Sequence, residues 1–411
     1  MSNMSEIHND AHTIIKNILK ENMPSQAVRK ALNEHNFTGR IHIVAIGKAA
    51  WTMTKAACDF LVCERPTSGI VVTKYGHSQG ALPNIDIYES GHPISDENTI
   101  TATEKCIELA ESLTAEDELL FLISGGGSAL FEAPLPGVTL ADIQDVTNQL
   151  LASAADIVEI NMIRKRLSRV KAGRFAKLAA PAKIFSIVLS DVLGDRLDSI
   201  ASGPAYPDSS TLADAMKVVE KYNLKLKHQL QETPKENELD NVKTVITGSV
   251  RSLCDSAAKA AHRLGYKPTI ISTSLNCEAR DAGEMLAAKA KEIQRERPCA
   301  IIAGGETVVT LKGGGKGGRN QELALSSARG IAGMKDTLIF SLGSDGTDGP
   351  TDAAGGMVDG GSLDEMVKAG FNIDAVLADN DSYHALQAID GLIITGPTGT
   401  NVNDVAMLLC R

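Results

Sequence analysis

Apolar residues along this chain fall into short uninterrupted runs, separated by longer stretches in which they recur every three or four positions. The runs at 41–46, 70–73, 85–89, 119–123 and 184–189 predict strands. The run at 119–123 has no polar break, as expected of a strand buried on both faces. Helical spacing predicts two helices within 5–36, split near Pro24, and others at 49–62, 95–113, 140–154, 159–178 and 211–221. Ser95 reads as the N-cap of its helix, with Asp96 and Glu97 well placed in the first turn. Residues 225–243 then lose apolar periodicity. Alternation resumes with strands at 242–246, 269–272, 300–303, 308–311, 338–342 and 392–395, and helices at 250–264, 278–296, 319–330, 362–370 and 381–388. The pattern predicts an α/β protein of two domains, each a mainly parallel doubly wound sheet with helices on both faces. The polar stretch sets the division at 1–238 and 239–411.

With 411 residues, 43% of them hydrophobic and 22% charged, the chain has enough apolar material for two cores, and wholesale disorder is excluded. The net charge of −10 argues against nucleic-acid binding, which needs clustered cations, but leaves room for a local basic cleft. No apolar stretch is long enough for a membrane span, and the first residues lack a signal-peptide core. Seven cysteines, with no C-x-x-C and with Cys58 and Cys63 the closest pair, read as reduced thiols of a cytoplasmic protein.

In an open α/β sheet ligands bind beyond the carboxyl ends of the strands, so the residues just past each strand are the candidates. Gly47-Lys48 follows the first strand, and Lys48 is either a cleft cation or a side chain snorkelling at a sheet end. Ser124, Gly125, Gly126, Gly127 and Ser128 follow 119–123 and form either an anion nest or a tight turn that needs positive φ. Asp191 and Asp195 follow 184–189, as general base, metal ligand or turn cap.

After 308–311, Gly313, Gly315 and Gly318 formally satisfy G-x-G-x-x-G, with Gly314, Lys316, Arg319 and Asn320 among them. No acidic residue ends the next strand, so a dinucleotide site fits poorly and the cations suit a polyphosphate better; a basic surface hairpin is the alternative. Asp345, Asp348 and Asp352 lack EF-hand spacing; they are Mg²⁺ ligands through water or turn formers. Asn401 closes the loop after 392–395. The segment 161–177 holds seven Lys or Arg, either a solvated helix face or, at Asn161, Arg164, Lys165 and Arg166, the wall of an anionic cleft. His92, in a Gly/Pro loop, is the one histidine with a candidate role. Neither a P-loop nor a G-x-S-x-G elbow is present.

The motifs SGHPISDENT at 90–99, LISGGGSALFEAPLPG at 122–137, NMIRKRLSRVKAGRFA at 161–176 and LSDVLGDRLDSIASGP at 189–204, with GGGKGGRNQELAL at 313–325, GSDGTDGPTDAAGG at 343–356 and TGPTGTNVND at 395–404, resemble the glycerate 2-kinase family with its MOFRL-type C-terminal segment. The resemblance spans about residues 40–405. It implies two α/β domains with the active site in the cleft between them, and transfer of the ATP γ-phosphoryl, with Mg²⁺, to the 2-hydroxyl of D-glycerate. It marks Lys48, Arg319 and Asp191 as catalytic, while loop placement makes Asp191 and Asp345 candidate metal ligands and Gly47, the glycine loops, Lys316, Asn320 and Asn401 candidate nucleotide- or substrate-binding residues. Some relatives carry the label hydroxypyruvate reductase, so an NAD(P)H-dependent reductase is the alternative. A homo-oligomer is left open.

Overall fold

The six strands of the first half form one sheet because its central runs are apolar on both faces. In the computed structural model, which describes residues 6–61, 66–190, 192, 194, 196–293 and 297–411, they are β1 (Arg40–Ile46), β2 (Ser68–Lys74), β3 (Ile85–Ser90), β4 (Asp117–Ile123), β5 (Lys183–Leu189) and β6 (Val242–Gly248). Their order is β3-β2-β1-β4-β5-β6. The pairs from β3 across to β5 are parallel. All seven residues of β4 are buried. One face packs Phe121 with Phe131 and Phe175, and the other packs Leu120 and Leu122 with Trp51 and Phe185. Strand order reverses between β1 and β4, which makes the crevice beyond their carboxyl ends the expected ligand site.

The second sheet contains β7 (Lys267–Leu275), β8 (Cys299–Gly305), β9 (Thr337–Gly343), β10 (Gly355–Asp359), β11 (Leu392–Ile393) and β12 (Asp404–Cys410), in the order β11-β10-β9-β12-β8-β7. Only β7–β8 is parallel, and β12 runs antiparallel to both β8 and β9. This sheet is therefore mixed rather than mainly parallel. The reason lies in the connections: β9 reaches β10, and β11 reaches β12, through loops without a helix, and parallel neighbours need a crossover. The expected strand at 308–311 is absent. Val308 makes one isolated bridge to Glu278, and Leu311 is exposed.

Two other expectations change. The basic stretch 159–178 is not one helix but two, Ile157–Lys165 and Arg174–Leu178, because Ala172 and Gly173 adopt φ of 54° and 80°. Asp96, not Ser95, caps the helix Glu97–Ser112, with a reciprocal bond to Thr99. The Ser95 hydroxyl donates instead to Ala129 O at 2.7 Å.

The chain divides into Pro24–Thr247 and a second unit made of residues 1–23 with 248–411, not at 238/239. β6 extends the first sheet beyond the polar stretch. The helix Glu6–Glu21 buries Ile7, Ile14, Ile15 and Ile18 and packs against the helix Val250–Arg263. Polar contacts fasten the same segment: Asn22 Nδ2 donates to Ser256 Oγ at 2.6 Å, and Thr400 Oγ1 donates to Asn22 O at 2.8 Å. Tyr266 donates its hydroxyl to Asp10 at 2.7 Å, and Arg411 pairs with Asp10 and Glu6. No described helix is long and apolar enough to cross a membrane.

Asp10→Ala leaves the buried Tyr266 hydroxyl and the Arg411 guanidinium without their shared acceptor. It should destabilise the second unit by about 1–3 kcal/mol, seen as a lower melting temperature. A melting curve identical to wild type would show that this contact does not hold the N-terminal helix in place.

Candidate active site

At the reversal point of the first sheet the backbone turns sharply through Gly47, whose φ is +109°. A Cβ there would lie 2.4 Å from both Ser124 O and Ser124 Oγ, so no larger residue fits without displacing β4. Four bonds join the two strand ends, one of them from the Ser124 hydroxyl to Ile46 O at 3.2 Å. Ser124 N donates to Ile46 O at 3.0 Å, Lys48 N to Gly125 O at 2.9 Å, and Ala49 N to Ser124 Oγ at 3.0 Å. The chain then passes through Gly126, at φ +85°, into the short helix Gly127–Leu130. A Cβ on Gly126 would come within 3.0 Å of the His92 ring and 3.3 Å of Lys48 Cε. Lys48, His92 and the glycine loop thus share one small volume.

The charge that the described residues bring to that volume is positive. Lys48 is half-buried and forms no ion pair with any described residue. Its carbonyl lies 3.1 Å from His77 Nδ1, and Lys74 ends the neighbouring strand. Burial, together with the charges of Lys48, Lys74 and His77, holds His92 below the usual histidine range, so it is neutral at pH 7. The N–H groups of Gly126, Gly127 and Ser128 donate to no described acceptor. A lysine with no described ion-pair partner beside backbone donors with no described acceptor suits an anionic ligand. Lys74 and His77 were missed in the sequence; extending β2 by one residue to Lys74 would have brought both into the strand-end survey.

In the second unit Arg319 opens the helix Arg319–Ile331. Its guanidinium forks onto Asp404, with Nε–Oδ2 at 2.6 Å and Nη2–Oδ1 at 3.2 Å, and Nη1 donates to Glu306 at 2.8 Å. Glu306 follows β8 and Asp404 begins β12, so the antiparallel insertion of β12 brings these carboxylates to Arg319. Burial opposes the arginine's charge, but the Asp404 bonds and the Asp404, Glu306 and Asp348 charges hold it more basic than usual. Burial, with Asp348 nearby, pushes the Asp404 carboxyl up to about 6 against the pull of Arg319.

The glycine loop before this helix is not an open nest. Lys312 N and Gly313 N donate to Asn380 Oδ1 at 2.8 and 3.2 Å, Gly314 N to Asp379 Oδ1 at 3.0 Å, Gly315 N to Asp379 O at 2.9 Å, and Lys316 N to Asp381 Oδ1 at 2.9 Å. A Cβ on Gly313 would lie 2.3 Å from Asp379, and one on Gly315 2.5 Å from Asp381. These glycines allow close docking onto 379–381. The Lys316 ammonium sits 4.0 Å from the centre of the Tyr383 ring.

Asn320 is buried and internal: its Nδ2 donates to Asp348 at 3.3 Å and its Oδ1 accepts from Ser341 at 2.6 Å. Asp348 also accepts from the N–H groups of Asn320 and Gln321 at 3.1 and 2.9 Å, so a carboxylate already caps the helix. Burial raises the Asp348 pKa, opposed by those amides.

Asp345 uses Oδ1 for Thr347 N and Oγ1, at 3.0 and 3.1 Å. Half-buried Asn401 makes no side-chain hydrogen bond with a described residue. Asp191 lies outside the described residues, as do Asp195 and Cys63. Among the described residues no group of three or more His, Cys, Asp and Glu side chains is placed to hold a metal ion.

Residues 10–234 match a domain of unknown function (DUF4147), and residues 299–404 match the MOFRL family. The chain is 51% identical over 402 residues to the D-glycerate 2-kinase of Thermotoga maritima, covering 95% of each chain. It is 40% identical to a protein of Agrobacterium vitis named hydroxypyruvate reductase, over 90% of this chain and 99% of that one. The crystal structure of a glycerate kinase from Thermotoga maritima, 51% identical, superposes with a TM-score of 0.95 over 98% of this chain and 99% of its own.

If Gly313 serves docking, Gly313→Ala should cost the second unit about 1–3 kcal/mol. Gly314→Ala, where a Cβ meets nothing within 4 Å, should change stability by less than about 0.5 kcal/mol. Thermal melts of the two variants check this, and equal effects would contradict the assignment.

Proposed function

The chain belongs to the glycerate 2-kinase family, and we propose that it transfers the γ-phosphoryl group of ATP to the 2-hydroxyl of D-glycerate, releasing 2-phosphoglycerate and ADP. The observation that carries this reading is Lys48, without an ion pair among the described residues, beside N–H groups that donate to no described acceptor at the reversal point of the first sheet. Phosphoryl transfer depends on position and on charge stabilisation more than on covalent chemistry of the protein. Lys48 and the 124–128 loop supply positive potential to the anionic substrate, and neutral His92 offers a hydrogen bond without adding charge. Within the second unit, Asp404 and Glu306 hold Arg319 in an orientation suited to binding an anionic phosphoryl group. Asp191 orients the attacking hydroxyl or accepts its proton.

Mg²⁺ is held in such reactions by one or two carboxylates together with substrate phosphates and water. Asp345 fits that need, because its Oδ2 makes no hydrogen bond to a described residue. Asp345 is the described residue that would hold the ion, which would draw off charge from the phosphate oxygens. A cytoplasmic location is part of the same proposal, supported by cysteines without disulfide spacing.

The reductase reading draws on the Agrobacterium vitis name and on the strand order, which is that of dinucleotide-binding sheets. Against it, the turn after β1 is Gly47-Lys48-Ala49, with no glycine fingerprint for a pyrophosphate. The one formal fingerprint, at 313–318, has N–H groups committed to 379–381.

With Mg-ATP, D-glycerate should drive ADP release in a coupled assay. Lys48→Ala should cut kcat by roughly 10²–10³-fold with an unchanged melt, and Arg319→Lys, which keeps a cation for Asp404, by a similar factor. Near-wild-type turnover of either variant would remove that residue from the mechanism. Hydroxypyruvate-dependent NADH or NADPH oxidation without ADP formation would replace the kinase by the reductase.

A further inference from the structure

The basic segment 161–177 is not a solvated face. Lys165, Arg166 and Lys171 are buried, and Lys165 and Arg166 are matched by carboxylates. Lys165 lies 3.3 Å from Asp208 and 3.8 Å from Asp198. Arg166, fully buried, lies 3.3 Å from both Asp208 and Glu232. Arg164 and Lys171 share a single carboxylate oxygen, Glu132 Oε2, at 3.9 and 3.5 Å. The Lys171 and Glu132 side chains have no exposure at all. Among the described residues, Glu132 therefore faces two cations, and one positive charge is left over there, in a place where an unpaired charge is costly.

The two cations differ in what they still have to give. Lys171 donates to Ser128 O at 2.8 Å and to Phe131 O at 3.1 Å, so its ammonium fixes both ends of the short helix that succeeds the glycine loop. Burial pulls that ammonium down to about 8 even with Glu132 beside it. Arg164 makes one long contact, Nη2 to Ser128 O at 3.4 Å, while its Nε is buried with no hydrogen-bond partner. Its side chain keeps 18% exposure. A guanidinium with most of its donors unspent, in surplus charge and resting against the last residue of the anion loop, is built to receive a planar anion in a forked geometry.

We propose that Arg164 binds the carboxylate of the acid substrate, with the Glu132–Lys171 pair as the buried support that fixes the loop against it. The assignment rests on the kinase reading and deepens it: Lys48 and the glycine loop act at the phosphoryl end, and Arg164 selects a hydroxy acid over a neutral polyol.

The test compares D-glycerate with D-glyceramide, which keeps both hydroxyls and loses the charge. In Arg164→Met the KM for D-glycerate should rise about 10- to 100-fold, the strength of a charge-assisted bond pair. The KM for Mg-ATP should stay within about threefold, and the preference for glycerate over glyceramide should largely vanish. Arg164→Lys, which keeps the charge and so the local balance around Glu132, should retain part of that preference, and it serves if the methionine variant does not fold. An unchanged KM for D-glycerate, or equal losses for the acid and the amide, would overturn the assignment and leave the kinase intact. A wild-type protein that releases no ADP with D-glycerate would overturn the kinase reading, and this inference with it.

Discussion

Between β1 and β4 the chain passes so close to itself that Gly47 has room for no side chain against Ser124. The geometry of the first unit's site depends on that contact. It locks the ends of two parallel strands at the point where the sheet's order reverses, and it points the chain after Gly47 into the crevice with Lys48 as the next residue. The same contact holds the start of the glycine loop, so Gly126 arrives beside Lys48 and His92. A parallel sheet buried on both faces leaves its strand ends as the one place where polar chemistry is inexpensive, and here that place is narrowed to a few residues.

What separates functional from structural charge in this protein is whether a cation already has a protein partner. Lys165 and Arg166 are satisfied by Asp208 and Glu232, and they brace the fold. The 312–316 amides are satisfied by 379–381, and the helix that begins at Arg319 is capped by Asp348. Lys48 has no ion-pair partner among the described residues, and Arg164 shares one. Arg319 lies between these cases: two carboxylates fix its direction while its side chain keeps 35% exposure, so it is positioned and still accessible. Like charges gathered without countercharge destabilise a folded protein, and a bound anion relieves them.

The first sheet was largely legible because its strands are continuous apolar runs and helices separate several of them. Lys48 and the 124–128 loop were found by inspecting the carboxyl end of each strand, and that rule works where strands are parallel. It misled in the second half. No strand is expected over 404–410 in the sequence analysis, although DVAMLLC is an apolar run and forms β12. It is β12 that supplies Asp404 to Arg319. The glycines at 313–318 carry a nucleotide-loop signature in sequence, yet close approach to a partner backbone demands the same residue type. No local pattern distinguishes the two uses, because Asp379, Asn380 and Asp381 lie more than sixty positions away. The buried pairing of 161–177 was hidden for the same reason: Glu132, Asp208 and Glu232 are remote in sequence, and a run of cations looks solvated until its partners are in place.

The central claim, that this fold delivers a phosphoryl group to the 2-hydroxyl of a small hydroxy acid, is tested most directly by ³¹P NMR of the purified protein with D-glycerate and Mg-ATP. The account predicts a new resonance of 2-phosphoglycerate growing in step with ADP. A spectrum showing only 3-phosphoglycerate would contradict the regiochemistry. No phosphate ester at all, with an active control kinase run in parallel, would contradict the kinase itself.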